Sequence, residues 1–60
     1  MYFELSISCD NAAFEDDPNT EVARILEDAA RRLRAGRDSL KLMDINGNHV
    51  GDAKYDVDKE

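Results

Sequence analysis

The segment DPNTEVARILEDAARRLRAG, residues 17–36, decides the fold because it contains the start, the apolar face and the end of one helix. Asp17 is a good N-cap residue, and Pro18 suits the first helical position, where its missing N–H costs nothing. Gly36 favours the left-handed backbone conformation that ends a helix. The segment therefore predicts a helix over residues 18–35. Its apolar face, at the three- and four-residue spacing of a helix, consists of Val22, Ile25, Leu26, Ala29 and Leu33.

A strand is predicted before the helix, over residues 2–9, because polar and apolar residues alternate there. A period of two is typical of a strand with one buried face. Cys9 closes this alternation and is interpreted as a small core residue rather than as a nucleophile. The loop at residues 10–16 follows, with Phe14 as its anchor in the core. The predicted core face of the strand consists of Phe3, Leu5, Ile7 and Cys9.

Two further strands are predicted after the helix, at residues 39–43 and 49–57. Between them, Asn46-Gly47 indicates a tight two-residue hairpin turn in which both residues have positive φ. A calcium loop is not expected, because the EF-hand pattern places Gly at its sixth position and Glu at its twelfth. Gly51 is interpreted as a bulge, since the apolar residues on its two sides differ in strand parity. The last three residues are expected to fray.

The order β-α-β-β predicts an α+β fold, with one helix packed on a three-stranded, mostly antiparallel sheet. A chain of 60 residues is one domain at most, and we take residues 1–60 as that domain. A domain of this size buries only about 60% of the surface that its unfolded chain exposes, so its core is thin. Leu40 and Leu42 are predicted to point into that core from the second strand.

Few cofactor or metal sites are compatible with this composition. Cys9 is the only cysteine and His49 the only histidine, so neither a disulfide nor a four-ligand zinc site can form within the chain. The three glycines are scattered and make no phosphate-binding loop. We therefore expect no cofactor, no metal and no catalysis, with His49 as an exposed, idle imidazole. No signal peptide or membrane-spanning stretch is recognisable, which predicts a cytoplasmic protein.

Charge is segregated along the chain, whose net charge is −6. Residues 1–23 contain six acids and no base, residues 24–41 contain six bases and three acids, and residues 42–60 contain five acids and two bases. Nucleic acids and anionic membranes bind basic surfaces, so neither is expected as a direct partner. Arg31 and Arg34 share a helix face with Glu27 and Asp28 and are expected to pair with these acids.

Five carboxylates gather around the predicted start of the helix. Helix capping and the helix dipole account for Asp17 and Glu21, and solubility is the plain explanation of the others. A functional explanation is docking on a basic protein partner, since charge complementarity raises the association rate and selects partners. The outer face of the sheet, at Glu4, Asp52 and Asp56, is the alternative surface. The predicted partner-binding residues are Asp10, Glu15, Asp16, Asp17 and Glu21.

The motifs at residues 9–14 (CDNAAF), 21–26 (EVARIL) and 44–51 (DINGNHVG) resemble those of short, acidic proteins encoded by bacteriophages and prophages, a group that includes anti-CRISPR inhibitors. Inhibitors of a type I Cascade complex, such as type I-C, are the nearest comparison. The resemblance covers most of the chain, but its motifs are structural ones. It implies an inhibitor that binds a CRISPR effector subunit in the host bacterial cell through an acidic surface that imitates DNA.

Two alternatives remain open from the sequence. One is a phage structural or assembly accessory that pairs through an exposed strand edge. The other is a small regulator of a host enzyme that acts through protein–protein contact. The expected oligomeric state is a monomer or a weak homodimer.

Overall fold

The computed structural model describes residues 1–56 as one helix packed against a three-stranded antiparallel sheet. The strands lie in the order β1-β3-β2, so the last strand is the central one. The predicted α+β fold and its β-α-β-β order are confirmed. The predicted end of the third strand at Val57 and the predicted fraying of residues 58–60 lie outside the described residues. The elements are β1 (Tyr2–Ile7), a 3-10 turn (Ala12–Phe14), α1 (Pro18–Arg34), β2 (Ser39–Met43) and β3 (His49–Asp56).

The helix α1 begins and ends where its local signals predict. The Asp17 carboxylate accepts hydrogen bonds from the Thr20 hydroxyl at 2.6 Å and from the Thr20 amide at 3.2 Å. These bonds favour the ionised carboxyl, with the hydroxyl bond the stronger influence, and they lower the pKa of Asp17. At the other end, Gly36 has a φ of +98°, the left-handed conformation expected after a helix.

The buried face of α1 agrees with its prediction apart from a small rotation that exposes Leu26, since Val22 and Leu33 pack partly buried against the core. Ile25 and Ala29 are buried, but Leu26 is 42% exposed. Glu21 lies one turn before Ile25 on the same side of the helix, and it is only 6% exposed. The polar contacts of Glu21 hold this side of α1 against the rest of the protein. The prediction that Leu26 belongs to the core face is therefore wrong.

The core lies between α1, the 3-10 turn and the sheet. Leu40 and Leu42 of β2 point into it, and Phe14 anchors the 3-10 turn there, as predicted. No helix within residues 1–56 is long and apolar enough to cross a membrane. The buried apolar residues are Phe14, Ile25, Ala29, Leu40, Leu42, Val50 and Ala53.

The first strand contributes less to the core than its alternation predicts. It ends at Ile7, two residues early, because the chain then turns towards the β2–β3 loop. Cys9 is exposed and Phe3 is 38% exposed, whereas Leu5 and Ile7 are half-buried. The interpretation of Cys9 as a core residue is therefore wrong. The apolar face of β1 is only partly covered by the rest of the protein.

The hairpin between β2 and β3 lies where it is predicted but has a different turn. The Gly47 amide donates to the Asp44 carbonyl at 3.0 Å, and the Asp44 amide donates to the Asn48 carbonyl at 2.9 Å. Gly47 has a φ of +86°, but Asn46 does not have a positive φ. The chain therefore reverses through Ile45 and Asn46, with Gly47 next in the left-handed conformation, instead of through a two-residue turn.

The predicted bulge is confirmed next to Gly51. Where β2 advances by one residue from Leu42 to Met43, β3 advances by two, so Val50 is the extra residue. Gly51 itself faces β1 at very short range. A Cβ atom at this position would overlap with the Ser6 carbonyl group, so only glycine permits β1 to lie this close to β3.

Adjacent helix residues provide a test of the observed helix rotation. We expect Ile25→Ala to lower the free energy of unfolding by about 2–5 kcal/mol and Leu26→Ala by about 1 kcal/mol or less. Ile25 is 1% exposed, so its truncation leaves a cavity, whereas Leu26 already contacts water. Urea unfolding followed by circular dichroism measures both, with Ile25→Val as a milder variant that stays folded. Equal losses from the two alanine variants would contradict the observed rotation.

Candidate functional site

Four of the five predicted docking carboxylates are exposed at one corner of the protein. They flank the 3-10 turn and the start of α1, and we call them the acidic corner: Asp10, Glu15, Asp16 and Asp17. The 3-10 turn fixes this corner because Phe14 is buried in the core. Asn11 caps the turn, with its side-chain oxygen accepting from the Ala13 amide at 3.2 Å. The chain on both sides of Phe14 is therefore held at the surface.

The carboxylates of the acidic corner differ in what they do for the fold. Asp17 caps α1, and Asp10 accepts a hydrogen bond from the Ser8 hydroxyl at 3.1 Å. The side chains of Glu15 and Asp16 make no hydrogen bond within residues 1–56. Nor does any cation in this part of the chain form an ion pair with the four carboxylates. Their negative charge is therefore directed to solvent.

Three of the four arginines of α1 are engaged elsewhere. Arg31 and Arg32 both pair with Asp28, which confirms the predicted pairing of Arg31 with an acid one turn earlier. Arg34, the other arginine predicted to pair, forms no ion pair within residues 1–56. Arg32 also donates to the Lys41 carbonyl at 3.0 Å. Arg24 donates to Glu21 and to a β2 carbonyl. Because these contacts orient the arginines towards the helix surface and β2, they leave the acidic corner unneutralised.

Glu21, the fifth predicted residue, is buried beneath the hairpin loop. Both carboxylate oxygens accept from the Arg24 guanidinium at 3.0 Å, and one also accepts from the Ile45 amide at 2.8 Å. The bonds from Arg24 and then from Ile45 outweigh the opposing effect of burial and lower the pKa of Glu21. The expectation that all five carboxylates share an exposed surface is corrected at Glu21, whose carboxylate faces the protein interior.

Asp44 is a second buried carboxylate, which was predicted only as part of a turn. It is 4% exposed. One oxygen accepts from the amides of Asn46 and Asn48 at 2.9 and 2.8 Å. The other accepts from the side-chain amides of Asn11 and Asn48 at 2.8 and 3.1 Å. Burial alone would raise the pKa of Asp44, but these four donors lower it.

Asp44 and Glu21 together fix the acidic corner to the hairpin. Asp44 holds Asn11, the cap of the 3-10 turn, and Glu21 holds the amide of Ile45 next to Asp44. N–H groups surround both carboxylates, which is the arrangement of a structural anchor. The spacing of Asp44 and Asn46 was the available sequence signal, because Asp side chains bond the amide two residues later in turns.

The alternative acidic surface, on the outer face of the sheet, is interrupted by cations. Glu4 lies across the ladder from Lys54, and Asp52 lies across from Lys41. Asp52 also contacts the His49 imidazole, with 3.1 Å between Oδ1 and Nε2. The imidazole is exposed, as predicted, and its Nε2 also lies 2.9 Å from the Gly51 carbonyl. The surface residues predicted as this alternative are Glu4, Asp52 and Asp56.

Comparisons with known proteins identify no relative of this chain. No protein-family model, curated protein or solved structure matches the chain. Within residues 1–56, no three His, Cys, Asp or Glu side chains come together as metal ligands.

Acidification tests the two buried carboxylates. A carboxyl whose pKa is lower in the folded than in the unfolded protein stabilises the fold above its unfolded pKa, and this stability is lost as pH falls through the folded value. Glu21 and Asp44 have ordinary pKa values of 4.5 and 3.8, so the free energy of unfolding should decline as pH falls below these values. Urea unfolding at a series of pH values measures the decline.

The matched variants for this test are Glu21→Gln and Glu15→Gln. Glu21→Gln removes a titrating group with a lowered pKa and should make the decline shallower. Glu15→Gln removes an exposed carboxyl whose side chain is unbonded within residues 1–56, and it controls for the loss of one negative charge. A wild-type stability that is constant from neutral pH to well below the ordinary value for Asp would contradict the anchoring role of both carboxylates.

Proposed function

We propose that the protein is a non-catalytic binding protein that docks through the acidic corner on a basic, DNA-binding surface of a partner protein. The observation that carries this proposal is the state of Glu15 and Asp16. Both are exposed, and within residues 1–56 neither is paired with a cation or used to hold the fold. Together with Asp10 and Asp17 they form an exposed negative surface beside the 3-10 turn and the start of α1.

Electrostatics favours this partner class. A protein surface that holds DNA is lined with Lys and Arg, and its complex with DNA forms with release of counterions. Clustered carboxylates on a compact protein meet the same cations and exclude DNA from them. Direct binding of DNA by the acidic corner is disfavoured, because the chain has a net charge of −6 and three of the four arginines of α1 are engaged in intramolecular contacts.

The resemblance to anti-CRISPR inhibitors supplies the candidate target. A CRISPR effector holds its target DNA in a positively charged channel and binds it through the DNA backbone and through base pairing with the guide RNA. We propose that the acidic corner occupies part of such a channel in a type I Cascade complex, in the cytoplasm of the host bacterial cell. The inhibitor then acts by competition with target DNA and needs no catalytic step.

Charge reversal at the acidic corner tests the proposal. Glu15→Lys combined with Asp16→Lys retains Asp17 as the helix cap, so the fold should survive while docking weakens. Exposed charge pairs are worth about 0.2–1 kcal/mol each and desolvated pairs several times more, so a loss of about ten-fold or more in inhibition is expected. The assay measures target-DNA binding by purified type I-C Cascade at two salt concentrations. Wild-type inhibition should decrease at the higher salt.

The control for this variant is Glu27→Lys combined with Asp38→Lys. These residues are exposed and lie away from the acidic corner in sequence, and their reversal changes the net charge by the same amount. The control should inhibit like the wild type once circular dichroism has shown that both variants are folded. Equal inhibition by both variants and the wild type would exclude the acidic corner. Absence of inhibition by the wild type at either salt concentration would exclude this Cascade as the target.

A further inference from the structure

The two edges of the sheet differ in how they are covered. The Asp44 amide donates to the Asn48 carbonyl, so the backbone groups of Asp44 face β3. The N–H and C=O groups of successive residues alternate in direction along a strand. Those of Lys41 and Met43 therefore face the outer edge of β2. Arg32 donates to the Lys41 carbonyl at 3.0 Å, and Arg24 donates to the Met43 carbonyl at 3.2 Å. Two arginines of α1 therefore cover the edge of β2.

The outer edge of β1 is open by comparison. The Ser8 amide bonds to the Val50 carbonyl, so the even-numbered residues of β1 direct their backbone groups to β3. The N–H and C=O groups of Phe3, Leu5 and Ile7 then face outward. Within residues 1–56, the Cys9 thiol is the one group recorded against this edge, at 3.9 Å from the Ile7 carbonyl. The strand contains neither Pro nor Lys, which commonly protect sheet edges.

Exposed apolar side chains lie beside this open edge. The rings of Phe3 and Tyr55 pack edge to face with their centroids 5.1 Å apart. They remain 38% and 46% exposed, and Leu5 and Ile7 are half-buried. A strand added at the edge would cover Phe3, Leu5 and Ile7 while it paired with their backbone groups.

We propose that β1 pairs antiparallel with β1 of a second copy of this chain, with Leu5 opposite Leu5. In this register Phe3 lies opposite Ile7 of the second copy, and the reverse pair is made by symmetry. The outward N–H and C=O groups of Phe3, Leu5 and Ile7 then bond to those of the same three residues in the second copy. These residues occupy the hydrogen-bonded positions of the new strand pair. The result is a six-stranded sheet in the order β2-β3-β1-β1-β3-β2, with both helices on one face.

Charge pairing and the number of paired residues favour this register over the registers shifted from it. With Leu5 at the centre, Glu4 lies opposite Ser6 of the second copy, and the five residues from Phe3 to Ile7 pair within β1. A shift that pairs Phe3 with Leu5 would place Glu4 opposite Glu4, and like charges directly opposite are destabilising. A shift that pairs Leu5 with Ile7 would leave only residues 5–7 paired within β1. A shift by a single residue would bring polar and apolar faces together.

The dimer is expected to be weak and to depend on salt in the opposite way to docking. One pair of six-residue strands buries less than the roughly 1,600 Å² of a standard interface, so dissociation constants of about 10 µM to 1 mM are expected. Each copy has a net charge of −6, so added salt should strengthen the dimer by screening their repulsion. Added salt should instead weaken the docking of the acidic corner on a basic partner. The β1 edge is also separate from the acidic corner.

Substitutions at Ser6 test the register directly. Ser6→Glu places a carboxylate opposite Glu4 of the second copy twice in each dimer, whereas Ser6→Lys places an ammonium group there. We expect the first to weaken and the second to strengthen association by about 2- to 30-fold. Ser39→Glu on β2 is the control, because Ser39 is also an exposed serine on a sheet strand but lies at the other edge. It should not change association beyond the general effect of one added charge.

Sedimentation equilibrium across about 10 µM to 1 mM measures association of the wild type and the three variants. Amide hydrogen exchange of the wild type provides a second readout that needs no substitution. Protection of the Phe3, Leu5 and Ile7 amides should rise with protein concentration. A wild type that stays monomeric throughout, equal weakening by Ser6→Glu and Ser39→Glu, or concentration-independent exchange at these three amides would each overturn the proposal.

Discussion

The buried carboxylate of Asp44 is the contact on which the arrangement of the other parts depends. It accepts hydrogen bonds from two backbone amides of its own loop and from two asparagine side chains. The loop amides shape the hairpin, and Asn11 joins the hairpin to the 3-10 turn. The adjacent Ile45 amide is bound by Glu21, which joins the same loop to α1. A thin apolar core is thereby reinforced by polar contacts among three segments that are distant in sequence.

This anchoring explains why the charges of the protein separate in space. Asp44 and Glu21 are satisfied inside, so they add little negative charge to the surface. Arg24 and Arg32 lie between α1 and β2, where they bind carboxylates and strand carbonyls. The remaining acids at the 3-10 turn and the helix start form no ion pair in the described part of the chain. An acidic corner without cation partners therefore follows from the way in which the interior is held together.

Local signals in the sequence predicted the local features well. The bounds of α1, its Asp17 cap, the position of the hairpin and the bulge beside Gly51 each depend on residues close in sequence. The exposure of Leu26 and the burial of Glu21 were missed, because the rotation of α1 depends on the contact with Ile45, 24 residues away. The link from Asn11 to Asp44 spans 33 residues and has no local pattern. The exposed part of the candidate site was predicted from polarity, and its buried support was not.

Gly51 has a consequence for the way this sequence can diverge. Its missing Cβ leaves room for the Ser6 carbonyl, so every replacement by another amino acid introduces an atom where β1 already lies. Most other surface positions accept many residue types, and the acidic corner can exchange Asp for Glu without altering its charge. Position 51 tolerates only glycine, although its backbone takes part in no proposed contact with a partner. Among descendants of this gene, the exposed acids of the acidic corner can therefore drift, while one small residue in the central strand stays fixed.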